Sequence, residues 1–282
     1  MVNALTVDVE DYFHVHAFAG VVPRHDWDHY PSRVEMNTRR LLDMLAARAV
    51  HATFFVLGWV AQRCPVLTRE ILSAGHQIGC HGYGHKVLYQ GNRTEFRNDL
   101  RRAKGVIEDA TGVEVKSYRA PSYSITKKTL WALEILGEEG FENDSSIFPV
   151  IHDYYGIADA PRFPHFQGLG GGRQIREFPP STVRVWGMNL PVAGGGYLRL
   201  LPYGVTAWAI RHINEQEKQP AMVYLHPWEI DPDQPRISAP WRSRFRHYQN
   251  LDSTAPKILR LLEEFSWAPM EQVLGLALTH EN

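Results

Sequence analysis

The chain has 282 residues, of which 44% are hydrophobic and 22% are charged. This length is enough to bury one full core and is within the range of single-domain α/β barrels, so we expect a single domain over residues 1–282. The formal net charge of -1 excludes the broad basic field that is typical of nucleic-acid-binding proteins, and it indicates no charged partner.

The two cysteines, Cys64 and Cys80, are too few for a disulfide framework or a zinc knuckle, and we interpret both as buried free thiols. The chain begins without the basic and apolar regions of a secretory signal peptide. Its longest apolar runs are shorter than a membrane span. These features predict a cytoplasmic protein with no transmembrane segment, and they leave its oligomeric state unknown.

Short segments rich in apolar and β-branched residues alternate with helical segments along most of the chain. The predicted strands cover residues 5–9, 52–57, 76–80, 116–118, 141–143 and 221–225. The predicted helices cover residues 34–48, 60–74, 94–111, 126–137 and 203–217. Strands that alternate with helices favour an α/β fold with a parallel sheet.

Two regions depart from this alternation. From about residue 150 to 200, clusters of glycine interrupt short apolar runs, and we interpret the region as an irregular insertion. From about residue 250 to 282 we predict a helical C-terminal extension. The glycine clusters lack the closing lysine of a phosphate-binding loop, which argues against a nucleotide site.

Carboxylates follow the first predicted strand. Residues 6–11 read TVDVED, so these acids lie where an apolar strand ends, and many α/β enzymes place their reacting groups there. On an extended strand Asp8 and Glu10 share one face, whereas Asp11 points away unless the strand has already ended. Glu10 is therefore the first choice for a metal ligand and Asp11 the second. For any one of these acids alone, a solvated or turn-capping role is the ordinary interpretation.

A pair of histidines follows the third predicted strand. Residues 81–85 read HGYGH, and the glycines inside the pair indicate a turn rather than a helix. Such a turn can direct His81 and His85 at one ion. Two imidazoles and one carboxylate hold a divalent metal while leaving positions open for water and substrate. The pair alone is a weak signal, because the chain has 14 histidines.

Three later strands also end in polar motifs. These are RAPSY at residues 119–123, DSS at residues 144–146 and LHPWE at residues 225–229. Arg119 stands at a strand end, where its guanidinium can hold a carboxylate from a neighbouring strand. Taken singly, Arg119 is typical of a surface ion pair, Asp144 of a turn and His226 of a buried structural histidine. Trp228 is typical of a core residue.

Taken in order, the five motifs resemble those of the polysaccharide deacetylases, the carbohydrate esterases with a NodB-homology domain. The resemblance spans about residues 4–230, and the ordered set is far more specific than any of its members. Residues 8–13 and 226–229 are most similar to the branch associated with bacterial exopolysaccharide loci. The resemblance implies a distorted (β/α) barrel with about seven parallel strands.

The resemblance also implies the catalytic roles. It makes Asp8 the general base, Arg119 the residue that positions Asp8, and His226 the general acid. A hydrophobic residue stands where an acid often supports the catalytic histidine in the family. The carboxylate partner of His226 is therefore open, with Asp144 and Glu229 as candidates.

For the metal, the resemblance implies that His81 and His85 are ligands of one divalent ion. Zinc is the expected ion, with cobalt, nickel, iron and manganese as alternatives. The family commonly has a second aspartate where this chain has Val9. That departure leaves the third ligand to Glu10 or Asp11.

The implied substrate is an N-acetylated sugar of a bacterial surface polysaccharide or its precursor. Tyr123 would line the acetyl pocket, with its backbone N–H helping to hold the oxyanion, and Trp228 would contact the substrate. One alternative is a metal-independent, allantoinase-like amidohydrolase that acts on a small cyclic or linear amide. Another is a non-catalytic glycan-binding module whose contact surface is residues 241–248, WRSRFRHY.

Overall fold

In the computed structural model, which describes residues 1–152 and 154–278, a largely parallel sheet lies at the centre. Its strands and one separate hairpin are β1 (Val2–Val9), β2 (Thr53–Val56), β3 (Gln77–Cys80), β4 (Ser117–Tyr118), β5 (Asn143–Asp144), β6 (His165–Gly170), β7 (Arg173–Glu177), β8 (Thr182–Val185), β9 (Met188–Pro191), β10 (Met222–Leu225) and β11 (Ser266–Ala268). The sheet order is β10-β1-β2-β3-β4-β5-β7-β6, and β11 also pairs with β1. The predicted α/β fold with a mostly parallel sheet is confirmed.

All ladders of this sheet are parallel except that of β6 with β7, so eight of its nine strands run in one direction. The strands β8 and β9 form a separate antiparallel pair. Between the ends of the sheet, the backbone N–H of Met222 donates to Ser181 Oγ at 2.7 Å. This contact connects β10 with the segment that leaves β7, which is consistent with a distorted barrel.

The helices are α1 (Val34–Ala46), α2 (Gly58–Arg63), α3 (Pro65–Ser73), α4 (Arg93–Thr111), α5 (Trp131–Glu138), α6 (Gly196–Leu200), α7 (Tyr203–Glu215), α8 (Trp241–Tyr248), α9 (Thr254–Glu264) and α10 (Met270–Leu278). The helix predicted over residues 60–74 is two helices, because Pro65 cannot continue a helix and restricts Cys64 before it.

Cys64 is half-buried rather than buried, and both cysteines are free. Within the described residues, every helix is too short or too polar to cross a lipid bilayer.

The irregular region predicted from about residue 150 to 200 contains regular elements. The strands β6 to β9 and the helix α6 all fall inside it. Glycines at 168 and 170 lie within β6, and Gly171 and Gly172 form the turn to β7 with positive φ angles. Glycine weakens the pattern of a strand without preventing the strand, which is why the sequence signal was lost. After residue 250 the chain forms α9, β11 and α10, and the predicted extension beyond residue 278 lies outside the described residues.

The register of the parallel ladders aligns the ends of the strands. One continuous row of paired residues crosses six strands: Val9, Val56, Cys80, Tyr118, Asp144 and Glu177. The residues that follow this row therefore emerge along one edge of the sheet. They include Glu10, His81 and Arg119, three of the polar residues that the sequence places at strand ends.

Two of the residues in this row are buried carboxylic acids. Asp144 and Glu177, at the ends of β5 and β7, are fully buried and close enough for their carboxyl groups to share a hydrogen bond, and among the described residues Asp144 Oδ2 and Glu177 Oε2 have no other hydrogen-bond partner. Burial raises the pKa of Asp144 from 3.8 to about 6, and burial together with the charge of Asp144 raises the pKa of Glu177 well above its ordinary value. Two carboxyl groups can bond in this way only when one of them carries a proton.

This pair predicts a pH-dependent stability. Between the ordinary pKa of 3.8 and the folded value of about 6, the folded chain holds a proton that the unfolded chain has lost, so the free energy of unfolding falls as pH rises. For Asp144→Asn we expect this decline to be shallower by up to about 1.4 kcal/mol per pH unit. Urea denaturation at several pH values measures it. Asp252→Asn removes an exposed acid as the control, and equal slopes in both variants would contradict the prediction.

Candidate active site

Glu10, His81 and His85 form a group of potential metal ligands at the edge of the sheet. Glu10 Oε1 lies 2.9 Å from His81 Nε2 and 3.2 Å from His85 Nε2. All three side chains are almost completely buried. The structure thus brings together both predicted histidines and the first-choice carboxylate.

The chemistry of this group fits a divalent cation. His81 Nδ1 donates to the backbone carbonyl of Arg119 at 2.8 Å, so in the neutral ring Nε2 carries a lone pair. That lone pair faces the Glu10 carboxylate, which only accepts hydrogen bonds when ionised. Two acceptors meet at 2.9 Å unless a proton or a cation lies between them. One carboxylate oxygen with two imidazole nitrogens suits zinc and other first-row divalent metals.

The surroundings keep Glu10 in its ionised form. Burial alone would raise the pKa of Glu10, but the adjacent imidazoles of His85 and His81 hold that pKa well below its ordinary value. His85 has a φ of 53°, in the left-handed region that few residues other than glycine adopt. Backbone strain of this kind is typical of functional sites, where the surrounding fold holds a side chain in one direction.

The structure does not bring Asp11, the second choice for the third ligand, to this group. Asp11 Oδ2 accepts hydrogen bonds from Ser32 Oγ at 2.7 Å and from the backbone N–H groups of Arg33 at 2.8 Å and Val34 at 3.1 Å. Its other oxygen accepts from the N–H of Tyr12 at 3.0 Å. The carboxylate therefore satisfies the free N–H groups where α1 begins, which is a capping role.

Asp8 lies beside the metal-ligand group and is paired with Arg119. Arg119 Nη1 donates to Asp8 Oδ1 at 2.7 Å and to Thr6 Oγ1 at 2.8 Å. Its other nitrogens donate to the carbonyl and the hydroxyl of Ser145 at 3.2 and 2.8 Å. Because the guanidinium is fully buried, it needs these partners, and they fix the orientation of Asp8.

His226 faces the remaining oxygen of Asp8. His226 Nε2 lies 3.9 Å from Asp8 Oδ2, and its Nδ1 lies 3.2 Å from Glu229 Oε2. Burial alone would lower the pKa of His226, but the adjacent carboxylates, Glu229 foremost, raise it to about 9. His226 is therefore protonated at neutral pH and lies next to a carboxylate that can accept a proton.

Of the two candidate partners of His226, Glu229 is the one in contact. Asp144 instead accepts from Ser146 Oγ at 2.5 Å and pairs with Glu177. Glu229 is held in turn by Arg199, whose Nε donates to Glu229 Oε1 at 2.9 Å. Sequence analysis missed Arg199, and no motif around it distinguishes it from other arginines.

Of the two predicted substrate-binding residues, Trp228 contacts His226 directly, and Tyr123 reaches it through the ring of Tyr224. Tyr123 is buried with a φ of 51°, and its ring lies 5.1 Å from that of Tyr224. Its backbone N–H donates to the carbonyl of Ala120 at 3.0 Å, so this N–H is not free for an oxyanion in this conformation. Trp228 is buried and stacked between His226 and His247, at ring distances of 5.2 and 4.1 Å.

Comparison with known proteins identifies two matched segments. Residues 26–140 match the family model described as polysaccharide deacetylase. Residues 145–275 match a second model, described as a domain of unknown function, DUF3473. Both segments contribute strands to the one sheet.

Individual relatives agree with the first match. The chain is 36% identical over 98 residues to a peptidoglycan-N-acetylglucosamine deacetylase of Bacillus cereus, which covers 34% of this chain and 36% of the relative. The chain thus spans about a third of that protein's length.

Two solved structures share the fold. One, from Mycobacterium smegmatis and provisionally described as a polysaccharide deacetylase, has a TM-score of 0.66 and 20% identity, covering 99% of this chain and 91% of that chain. The other is the Puue allantoinase, with a TM-score of 0.61 and 14% identity over 97% of this chain and 88% of that chain. At these identities the likeness establishes the fold alone.

Substitutions at Glu10 and Asp11 separate a metal ligand from a helix cap. Loss of a residue that only supports a metal ligand weakens metal binding by roughly 10–100-fold. We expect Glu10→Gln to weaken zinc binding by more than this, because Glu10 would be a ligand itself. Asp11→Ala should bind zinc normally and lower the free energy of unfolding by about 1–2 kcal/mol, because the N–H groups at the start of α1 lose their acceptor. Zinc titration and urea denaturation of both variants measure this. Loss of zinc from a folded Asp11→Ala variant would reverse the two assignments.

Proposed function

We propose that this chain, whose residues 26–140 match the polysaccharide deacetylase family model, is a metal-dependent hydrolase of that family that removes N-acetyl groups from sugars of a bacterial surface polysaccharide or its precursor. One observation carries the proposal. A metal-ligand group and a pair of acid and base side chains share one sheet edge, with Glu10 belonging to the first and lying close to the second.

Asp8 has the position of a general base. One of its oxygens is occupied by Arg119, and the other faces the space in front of His226. An aspartate with an ordinary pKa of about 3.9 is a weak base towards water, whose pKa is about 15.7. A divalent cation held by Glu10, His81 and His85 would supply Lewis acidity, which lowers the pKa of water to about 7 and polarises an amide carbonyl.

His226 has the position of a general acid. The amine of an acetamide leaves poorly unless it gains a proton, so a protonated group must lie across the scissile bond from the base. The raised pKa of His226 keeps that proton available at neutral pH. Glu229 holds the ring by its Nδ1, so Nε2 is the nitrogen that delivers the proton.

The proposal predicts different effects at the two kinds of histidine. We expect His81→Ala to lose both bound metal and turnover, because one imidazole ligand is gone. His226→Ala should keep the metal and lose turnover by about 10²–10⁴-fold, the usual contribution of one acid or base. Metal analysis and acetate release from N-acetylated oligosaccharides, with and without chelator, measure both.

Thermal melts of both variants serve as the control for folding. Full activity in either variant would contradict the assignment. Wild-type turnover that survives chelation would favour the metal-independent amidohydrolase. Glycan binding with no acetate release by the wild type would favour a binding module.

A second prediction concerns the pH dependence of turnover. Activity falls at high pH when His226 loses its proton, and Glu229 is the strongest of the carboxylates that raise the pKa of His226 to about 9. Glu229→Gln removes that charge, so the alkaline limb of the kcat/KM profile should move to lower pH. Glu215→Gln, on the exposed side of α7, is the control and should leave the profile unchanged. An alkaline limb that stays in place in Glu229→Gln would exclude His226 as the titrating acid.

A further inference from the structure

One basic and aromatic surface lies outside the acid–base and metal groups. Four arginines, at positions 236, 242, 244 and 246, fall in a stretch from Gln234 to Asn250 that has no acidic residue. The formal net charge of the whole chain is only -1, so this concentration of positive charge is local. Among the residues that the structure describes, none of the four forms an ion pair with a carboxylate.

The surface contains a groove of about 430 Å³. It is lined by Arg236, Trp241, Arg244, Phe245, Tyr248 and Gln249. Trp241 and Phe245 lie one turn apart on α8 and are 71% and 55% exposed. Large aromatic side chains exposed together on one helix face are typical of a binding surface.

Two observations favour a polar, anionic occupant over a lipid. The guanidinium of Arg236 lies over Tyr248, 4.4 Å from the ring centre, and its Nη2 donates to the backbone carbonyl of Pro232 at 3.2 Å. Its remaining N–H groups are available to an anionic ligand. Gln249 Nε2 is buried without a hydrogen-bond partner in the described part of the chain. A buried donor of this kind lacks an acceptor that a polar ligand would supply and a hydrocarbon chain would not.

The groove is linked to the candidate active site. His247, on the inner side of α8, stacks on Trp228, which stacks on His226. Arg246 is also near the site. Burial raises the pKa of Tyr155, and the positive charge of Arg246 partly opposes this rise, so Arg246 lies within electrostatic range of Tyr155. The ring of Tyr155 in turn packs beside that of Tyr123. One helix, about 10 Å across, therefore separates the groove from the reacting groups.

We propose that this groove binds an acidic glycan, whose carboxylate or phosphate groups contact the arginines while its sugar rings pack on Trp241 and Phe245. The identity of the ligand as a glycan rests on the proposed function. The charge of the ligand rests on the arginines alone. The proposal makes the substrate an acidic polysaccharide that continues from the active site across α8.

The test compares two N-acetylated hexasaccharides by isothermal titration calorimetry. A hyaluronan hexasaccharide carries uronate groups, and a hexamer of N-acetylglucosamine is neutral. We expect the wild-type protein to bind the acidic oligosaccharide about tenfold more tightly, with a preference that shrinks as salt rises. The double variant R236Q/R244Q should lose this preference, and Trp241→Ala should weaken both ligands.

Matched substitutions elsewhere on the surface control for charge and stability. Arg40→Gln on α1 and Trp208→Ala on α7 each remove an exposed side chain of the same type and should leave the preference unchanged. In acetate release from the acidic substrate, R236Q/R244Q should raise KM about tenfold with kcat unchanged, because these arginines are remote from the reacting groups.

Glycan binding does not require turnover, so the experiment can contradict the proposed function without contradicting the acidic-glycan groove, and the reverse. If the preference is present but no substrate releases acetate, the proposed function fails and the groove remains. Equal affinity for the two oligosaccharides, or a preference that persists in R236Q/R244Q, overturns the groove as an acidic-glycan site. Binding of vesicles that contain anionic lipid, lost in Trp241→Ala, with no preference between the oligosaccharides, also overturns it and assigns the surface to a membrane.

Discussion

The buried guanidinium of Arg119 is the interaction on which the site depends. Its nitrogens hold Asp8 on β1 and Ser145 after β5, and its backbone carbonyl accepts the Nδ1 proton of His81. One residue therefore orients Asp8, the proposed base, and also sets the tautomer of His81, a candidate metal ligand. A buried charge without these partners would cost several kcal/mol. Because the buried guanidinium of Arg119 must be paired, the ends of β1, β4 and β5 lie close together around it.

The site is shared between the two matched segments of the chain. Asp8 and Glu10 precede both segments, His81 and Arg119 belong to the first, and His226 belongs to the second. The second segment also supplies Glu229 and Arg199, which hold the imidazole from the side away from Asp8. The segment described only as a domain of unknown function thus carries His226, the proposed general acid.

Much of the fold and part of the site follow from local sequence patterns. Apolar runs ending in Glu10, His81 and Arg119 predicted their shared edge, since parallel strands in register end together. A capping role was the ordinary interpretation of Asp11 taken alone, but the groups it caps were not predictable, because its partners Ser32, Arg33 and Val34 come more than 20 residues later. Arg199 and Glu229 are likewise 30 residues apart, and contacts over such separations leave no periodic signal.

The buried acids at the edge of the sheet differ in their pKa values, and the direction of each shift depends on the groups that each acid faces. Glu10 and Glu229 have histidines within 3.2 Å, and the pKa of each is lowered although burial alone would raise it. Asp144 and Glu177 face each other, and the pKa of each is raised. Carboxyl groups that differ in this way divide acid–base work from structural work. The histidines beside Glu10 and Glu229 thus keep these two carboxyl groups ionised, whereas Asp144 and Glu177, at the ends of β5 and β7, retain a proton between them.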